Sequence, residues 1–154
     1  MTVEVGQEAP DFELRDSEGG KTKLSSFRGK KNVLLIFYPL AFSPVCSGEF
    51  CTFRDVNSDI ASDKTEVIGI SVDSSYTLKA WKKAEGFPNV FVADFWPHGE
   101  IARQYGVLVE ERGTALRGTF LIDREGIVRW KEVLPQTEPR DQSGWRKAIE
   151  EFTS

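Results

Sequence analysis

VLLIFYPLAFSPVCSGEFCTFR, residues 33 to 54, is the stretch that decides how this chain is read. Val33 to Tyr38 is apolar at every position, the pattern of a strand covered on both faces. Pro39 has no backbone N–H to give a ladder and ends that strand. Ser43 followed by Pro44 reads as a helix N-cap and a proline at the first helical position, where a missing N–H costs nothing. Cys46 is then the third helical residue, among unpaired N–H donors and at the positive end of the helix dipole. Both features lower a thiol pKa and favour the thiolate. Two readings of Cys46 stand side by side at this point: a reactive sulfur, or a small core residue of the kind most intracellular cysteines are. Cys51 has the same two readings and a weaker position.

Working outward, 154 residues suit one domain, 1–154, with one substantial core. Apolar residues are 40% and charged residues 29%, an ordinary folded composition. A net charge of −4 and an isoelectric point of about 5.2 argue against a nucleic-acid or anionic-membrane partner. The opening MTVEVGQEAPDF has acids and no long apolar core, so no signal peptide is expected. No apolar run is long enough for a membrane span. Two cysteines in a domain of this size make no disulfide scaffold, which fits a reducing, cytoplasmic setting.

Asp11–Asp16 and Lys21–Ser25 alternate around Ser17-Glu18-Gly19-Gly20, a hairpin signal. The helix from Ser43 is expected to reach about Ser62, with Phe50 and Phe53 as core residues. Val67–Val72 reads as a second buried strand, and Asp73-Ser74-Ser75 caps a helix Tyr76–Glu85 closed by Gly86. Val90–Ala93 is a third strand, and Glu100–Tyr105 a short helix ended by Gly106. Val107–Val109, Leu116–Asp123 and Ile127–Val133 read as strands with turns at Arg112-Gly113 and Arg124-Glu125-Gly126. Asp141–Phe152 closes the chain as an amphipathic helix with Trp145, Ile149 and Phe152 on one face. Strands alternating with helices imply parallel pairing, and the late hairpin adds antiparallel strands. The expected fold is α/β and thioredoxin-like: a central mixed sheet flanked by helices, with an N-terminal β-hairpin extension.

Pro39-x-x-x-Ser43-x-x-Cys46 at the end of a buried strand resembles the active-site motif of the peroxiredoxins. The opening VGQEAPDFELRDSEGG is similar to the start of that family, and Glu49 and Arg54–Asp55 fall where its members often carry them. LRGTFLID places Arg117 at the position of the family's second active-site arginine. DFWPHGEIARQYGV and EPRDQ look most like the alkyl hydroperoxide reductase E branch, which typically has no cysteine matching Cys51. The spacing C-x-x-x-x-C is similar instead to the Q branch (bacterioferritin comigratory protein), where the second cysteine resolves the first.

The resemblance implies a thiol peroxidase for hydrogen peroxide, organic hydroperoxides or peroxynitrite, with Cys46 oxidised to a sulfenic acid. Charge develops on the leaving oxygen, so fixed donors aimed there lower the barrier. The Ser43 hydroxyl, the Cys46 N–H and the Arg117 guanidinium are the implied donors, and Pro39 shapes the loop and screens Cys46 from water. On its own, Arg117 would read as a solvated strand arginine, and the resemblance makes it catalytic. Glu49 holds an arginine or faces solvent. Cys51 resolves Cys46 as an intramolecular disulfide or is a core residue. On one continuous helix the two Cα atoms would be about 8 to 9 Å apart, beyond the roughly 7 Å a disulfide spans, so a bond requires unwinding. A thioredoxin- or glutaredoxin-type reductant and a homodimer are implied partners.

The reading calls for no cofactor. One histidine, His98, and two cysteines make a poor zinc set, so no metal is expected. The Phe95–Trp96 loop reads as a packing or dimer-contact element, and Phe42, Trp81 and Trp96 as dimer contacts or core. The competing function class is a non-enzymatic redox switch or holdase triggered by Cys46 oxidation. Ser43 and Arg117 speak against it, since a switch needs no leaving-group donors. A dithiol oxidoreductase is weaker still, because the chain has no C-x-x-C.

Overall fold

The computed structural model describes residues 2–43, 50, 64–138 and 142–153. At its centre lies β3 (Asn32–Phe37), every residue of which is buried. β3 pairs in parallel with β4 (Thr65–Ser71) and antiparallel with β8 (Arg117–Ile122). β5 (Val90–Ala93) lies outside β4, and β9 (Val128–Leu134) outside β8, giving the order β5-β4-β3-β8-β9 among the described residues. The mixed sheet expected from the alternation of strands and helices is therefore present. The late hairpin is β8–β9, with Gly126 at φ 85° in its turn.

Alternation along β3 sends its side chains into two cores. Val33, Leu35 and Phe37 pack with Phe12, Leu24, Ile101, Tyr105 and Phe120. Leu34, Ile36 and Tyr38 pack on the other face with Phe50, Leu78, Trp81, Phe91 and Ile149. Each such side chain contributes about 1.5–3 kcal/mol on burial, so a strand apolar on both faces is stable only as the middle of a covered sheet.

Helix α1 (Ser75–Glu85) covers the second face through Leu78 and Trp81. Its cap is Ser74, whose side chain accepts from the Thr77 N–H, and Gly86 closes it in the left-handed region at φ 68°. Both ends fall where the serine and glycine signals put them. The short helix α2 (Glu100–Gln104) covers the first face. The closing helix α3 (Gln142–Thr153) brings Ala148 and Ile149 onto the second. The side chains of Trp145 and Phe152 lie outside the described residues.

The N-terminal hairpin forms as β1 (Glu13–Arg15) and β2 (Lys21–Lys23), with a 3-10 turn, Leu24–Phe27, leading on toward β3. Its turn docks on the outer edge of the sheet. The Ser17 N–H donates to the Phe91 carbonyl at 2.9 Å, and the Phe91 N–H donates to Ser17 Oγ at 3.2 Å. The sequence reading missed one small piece. After β6 (Leu108–Val109) the chain turns at residues 110 to 113 and pairs back as β7 (Thr114–Ala115) before entering β8. Two residues are too few for an alternation to show.

The second core is an aromatic nest. Phe50 stacks edge-on to Tyr38 at 5.0 Å, Phe91 at 5.1 Å and Trp81 at 5.5 Å. The nest needs Gly69 in the sheet beneath it. A Cβ there would come within 2.5 Å of the Phe91 ring and 3.3 Å of Phe50, so the missing side chain is the space the rings occupy. Phe53 lies outside the described residues, as does the course of the expected helix from Ser43 to Ser62 apart from Phe50, which is helical.

Candidate active site

The site is built where β3 runs out. Tyr38 extends the parallel pairing by one residue, its N–H donating to the Ile70 carbonyl at 3.2 Å. Pro39 follows, half-buried, and ends the ladder as a residue without an N–H must. The loop beyond it is held from the neighbouring strand. The Ala41 N–H donates to Asp73 Oδ2 at 2.8 Å, and Ser71 Oγ donates to the same oxygen at 2.7 Å. Asp73 thus serves the loop, and the capping of α1 falls to Ser74 alone.

Phe42 takes φ 67°, a left-handed conformation that a bulky residue seldom adopts. Its exposed ring leans on Trp81 at a centroid distance of 6.2 Å. Ser43 comes next, and its hydroxyl donates to the Leu40 carbonyl at 3.0 Å. A carbonyl can only accept, so the Ser43 proton is committed there. Toward a bound molecule the oxygen offers lone pairs, whereas the sequence reading took it for a donor. Its role as a helix cap concerns Val45 and Cys46, outside the described residues.

Arg117 enters from the other side of β3. β3 and β8 pair Ile36 with Thr119, and the same antiparallel register carried two residues further sets Tyr38 opposite Arg117. Arg117, Thr119 and Leu121 share a face, and Leu121 lies in the core that contains Tyr38 and Phe50. Arg117 is only 2% exposed, so the solvated-arginine reading does not hold. Its Nε–H donates to the Gln136 carbonyl at 2.7 Å. Gln136 is in turn fastened by its side chain: Nε2 donates to Thr114 Oγ1 at 2.6 Å and the Ala115 carbonyl at 2.9 Å, and Oε1 accepts from Arg112 Nη1 at 3.0 Å. Burying a guanidinium costs several kcal/mol unless partners meet it, so such a residue points to a task beyond packing.

The structure therefore brings Pro39, Ser43 and Arg117 to one end of β3. Cys46, Cys51 and Glu49 lie outside the described residues. His98, considered as a proton shuttle, donates through Nε2 to the Gly113 carbonyl at 2.6 Å and ties its loop to the β6–β7 turn. The sequence reading missed Asp94, a buried carboxyl that accepts from the Ile101 N–H at 3.0 Å and the Ala102 N–H at 2.9 Å. Burial pushes its pKa up to about 6, against the lowering effect of those two bonds. Beside it the loop exposes Trp96 (80%), and Tyr76 (82%) stands across an open recess of about 560 Å³ lined also by Leu14, Ala93 and Phe95. Trp81 is wholly core.

The profile of the AhpC/TSA family matches residues 5–131. The chain belongs to the AhpC/TSA family of peroxiredoxins. It is 43% identical over 152 residues to alkyl hydroperoxide reductase E of Mycobacterium tuberculosis, covering 99% of each chain. Among solved structures it superposes on AhpC of Enterococcus faecalis with a TM-score of 0.87 at 29% identity, over 98% of this chain and 92% of that one. The reduced 2-Cys peroxiredoxin of Plasmodium vivax gives 0.86 at 33% identity, over 96% and 81%. The fold is thus α/β and thioredoxin-like, as expected. The peroxiredoxin is an oxidoreductase, a thiol-dependent peroxidase, and the switch or holdase reading gives way to it. No helix among the described residues is long and apolar enough to cross a membrane.

Proposed function

We propose that Cys46 is the sulfur that reacts, with Arg117, Ser43 and Pro39 as its surroundings. The observation that carries this is the buried guanidinium of Arg117 at the same end of β3 as Pro39 and Ser43. Along the chain Cys46 is three residues from Ser43 and four from Phe50. The Cys46 thiolate attacks one oxygen of ROOH. An S–O bond forms, the O–O bond breaks, and RO⁻ leaves with the electron pair and is protonated to ROH. Sulfur loses two electrons and becomes a sulfenic acid.

Arg117 favours the thiolate beforehand and meets the charge on the leaving oxygen. Ser43, its own proton given to Leu40, holds the peroxide by accepting its O–H. Pro39 keeps the corner dry, and Glu49 supports an arginine. The substrate class is hydrogen peroxide, organic hydroperoxides or peroxynitrite. The Cys51 thiol then condenses with the sulfenic acid, releasing water and leaving a disulfide for a thioredoxin- or glutaredoxin-type dithiol to reduce.

The protein works as a single-domain cytoplasmic homodimer in this reading. The exposed aromatic side chains Tyr76, Phe95 and Trp96, which line one recess, support the dimer, since a soluble monomer seldom shows such a patch. Stopped-flow mixing of the reduced protein with peroxide tests the central claim. Cys46→Ser is expected to abolish the reaction with the fold intact, and an active Cys46→Ser protein would end the proposal.

A further inference from the structure

We propose that Gln136 is the positioning residue for Arg117, acting through its own main chain. This rests on Arg117 serving the sulfur of Cys46. A guanidinium on a flexible stem has many orientations, and a hydrogen bond at Nε fixes the rotation of the whole planar group. The acceptor of that bond is the Gln136 carbonyl at 2.7 Å. A carbonyl in the turn after β9 would be a soft anchor if nothing held it. Here the same residue's amide grips the β6–β7 hairpin at three points, the Thr114 hydroxyl, the Ala115 carbonyl and the Arg112 guanidinium.

Ala115 is two residues ahead of Arg117 on the way into β8. Gln136 therefore holds Arg117 in two ways: its carbonyl accepts from the guanidinium directly, and its side-chain amide holds the hairpin backbone that leads into Arg117. The loop is closed: hairpin to amide, amide to its own carbonyl, carbonyl to guanidinium. Loosening it leaves Arg117 present but misaimed, and misplacements on the scale of an ångström cost large factors in rate.

The test is the rate of reduced protein with hydrogen peroxide across pH, read by stopped-flow fluorescence. Gln136→Ala is expected to slow the reaction about 5- to 30-fold and to move the pH midpoint of reactivity upward. Thr114→Val removes one grip without touching the turn and should shift both quantities the same way by less. Thr114→Ser, which keeps the hydroxyl, should restore them. In an Arg117→Met background, Gln136→Ala should add nothing. Unchanged rate and midpoint in Gln136→Ala, with Arg117→Met slow, would overturn the inference while sparing the role of Arg117. An equal slowing by Gln136→Ala with and without Arg117 would overturn it too. Arg117→Met reacting at the parent rate would remove the reading of Arg117 and this inference with it.

Discussion

Ala41 and Asp73, thirty-two residues apart, are joined by a 2.8 Å hydrogen bond from the Ala41 N–H to Asp73 Oδ2. The same oxygen takes the Ser71 hydroxyl, so one carboxylate fixes the loop after β3 to the end of β4. Asp73→Ala would leave both donors without that acceptor. The expected cost is about 1–3 kcal/mol of stability by urea unfolding, with a slower peroxide reaction. Asp73→Asn keeps an oxygen and should fall between. Parent rates in Asp73→Ala would mean that the loop holds its shape without this bond.

For Arg117 the expected loss on replacement by Met, which keeps the stem, is about 10² to 10³-fold in the rate with peroxide. A concomitant rise in the pH midpoint of reactivity should accompany it. Ser43→Thr keeps the hydroxyl and should be nearly silent, whereas Ser43→Val should slow the reaction. If Arg117→Met is as fast as the parent, the buried guanidinium serves packing alone.

Cys51 is tested by peptide mapping after one equivalent of peroxide. A Cys46–Cys51 disulfide is expected, and amides from about Val45 to Arg54 should lose hydrogen-exchange protection on oxidation. Cys51→Ser should still consume one equivalent of peroxide and should lose turnover with a thioredoxin-type reductant. Mapping that finds only oxidised Cys46 would make Cys51 a core residue and the enzyme a one-cysteine catalyst.

Asp94 supplies a pH dependence of the fold. Its carboxyl titrates near 6 when folded, above the ordinary 3.8, because burial disfavours the charge. The folded state therefore binds its proton more tightly than the unfolded chain between those values. The stability tied to that proton is complete below about pH 4 and lost as pH rises through about 6. The stability of the parent relative to Asp94→Asn should accordingly fall from pH 4 to pH 6.5, followed by thermal melts. A relative stability that climbs over that range would show the folded pKa to be depressed instead.

The exposed aromatic patch gives the fifth expectation. Trp96→Asp alters a side chain that is 80% exposed, so the fold should survive. Light scattering after gel filtration is expected to report a dimer for the parent and a monomer for the variant. An unchanged mass would assign the dimer contact to another face.

The parts of this architecture that were legible in the sequence are those with a local chemical signature. The run at β3, the proline that stops it, the Ser74 cap and the left-handed Gly86 each announce themselves within a few residues. Arg117 was legible as a position, but its burial was not, because a charged residue at a strand start looks the same whether solvated or enclosed. Gln136 had no signature at all: it meets Arg117 through a carbonyl, which every residue has. Asp73 looked like part of a helix cap, and only the fold brings Ala41 close enough to claim it. β7 was too short to show a period.

The packing of both Phe42 and Phe50 against Trp81 has a practical outcome. Those two rings bracket Cys46 in the chain, and Phe50 is the immediate neighbour of Cys51. A Cys46–Cys51 disulfide, as proposed, is expected to shift rings that pack on the buried Trp81. The intrinsic fluorescence of the reduced and the oxidised protein is then expected to differ, an optical readout of redox state that needs no label.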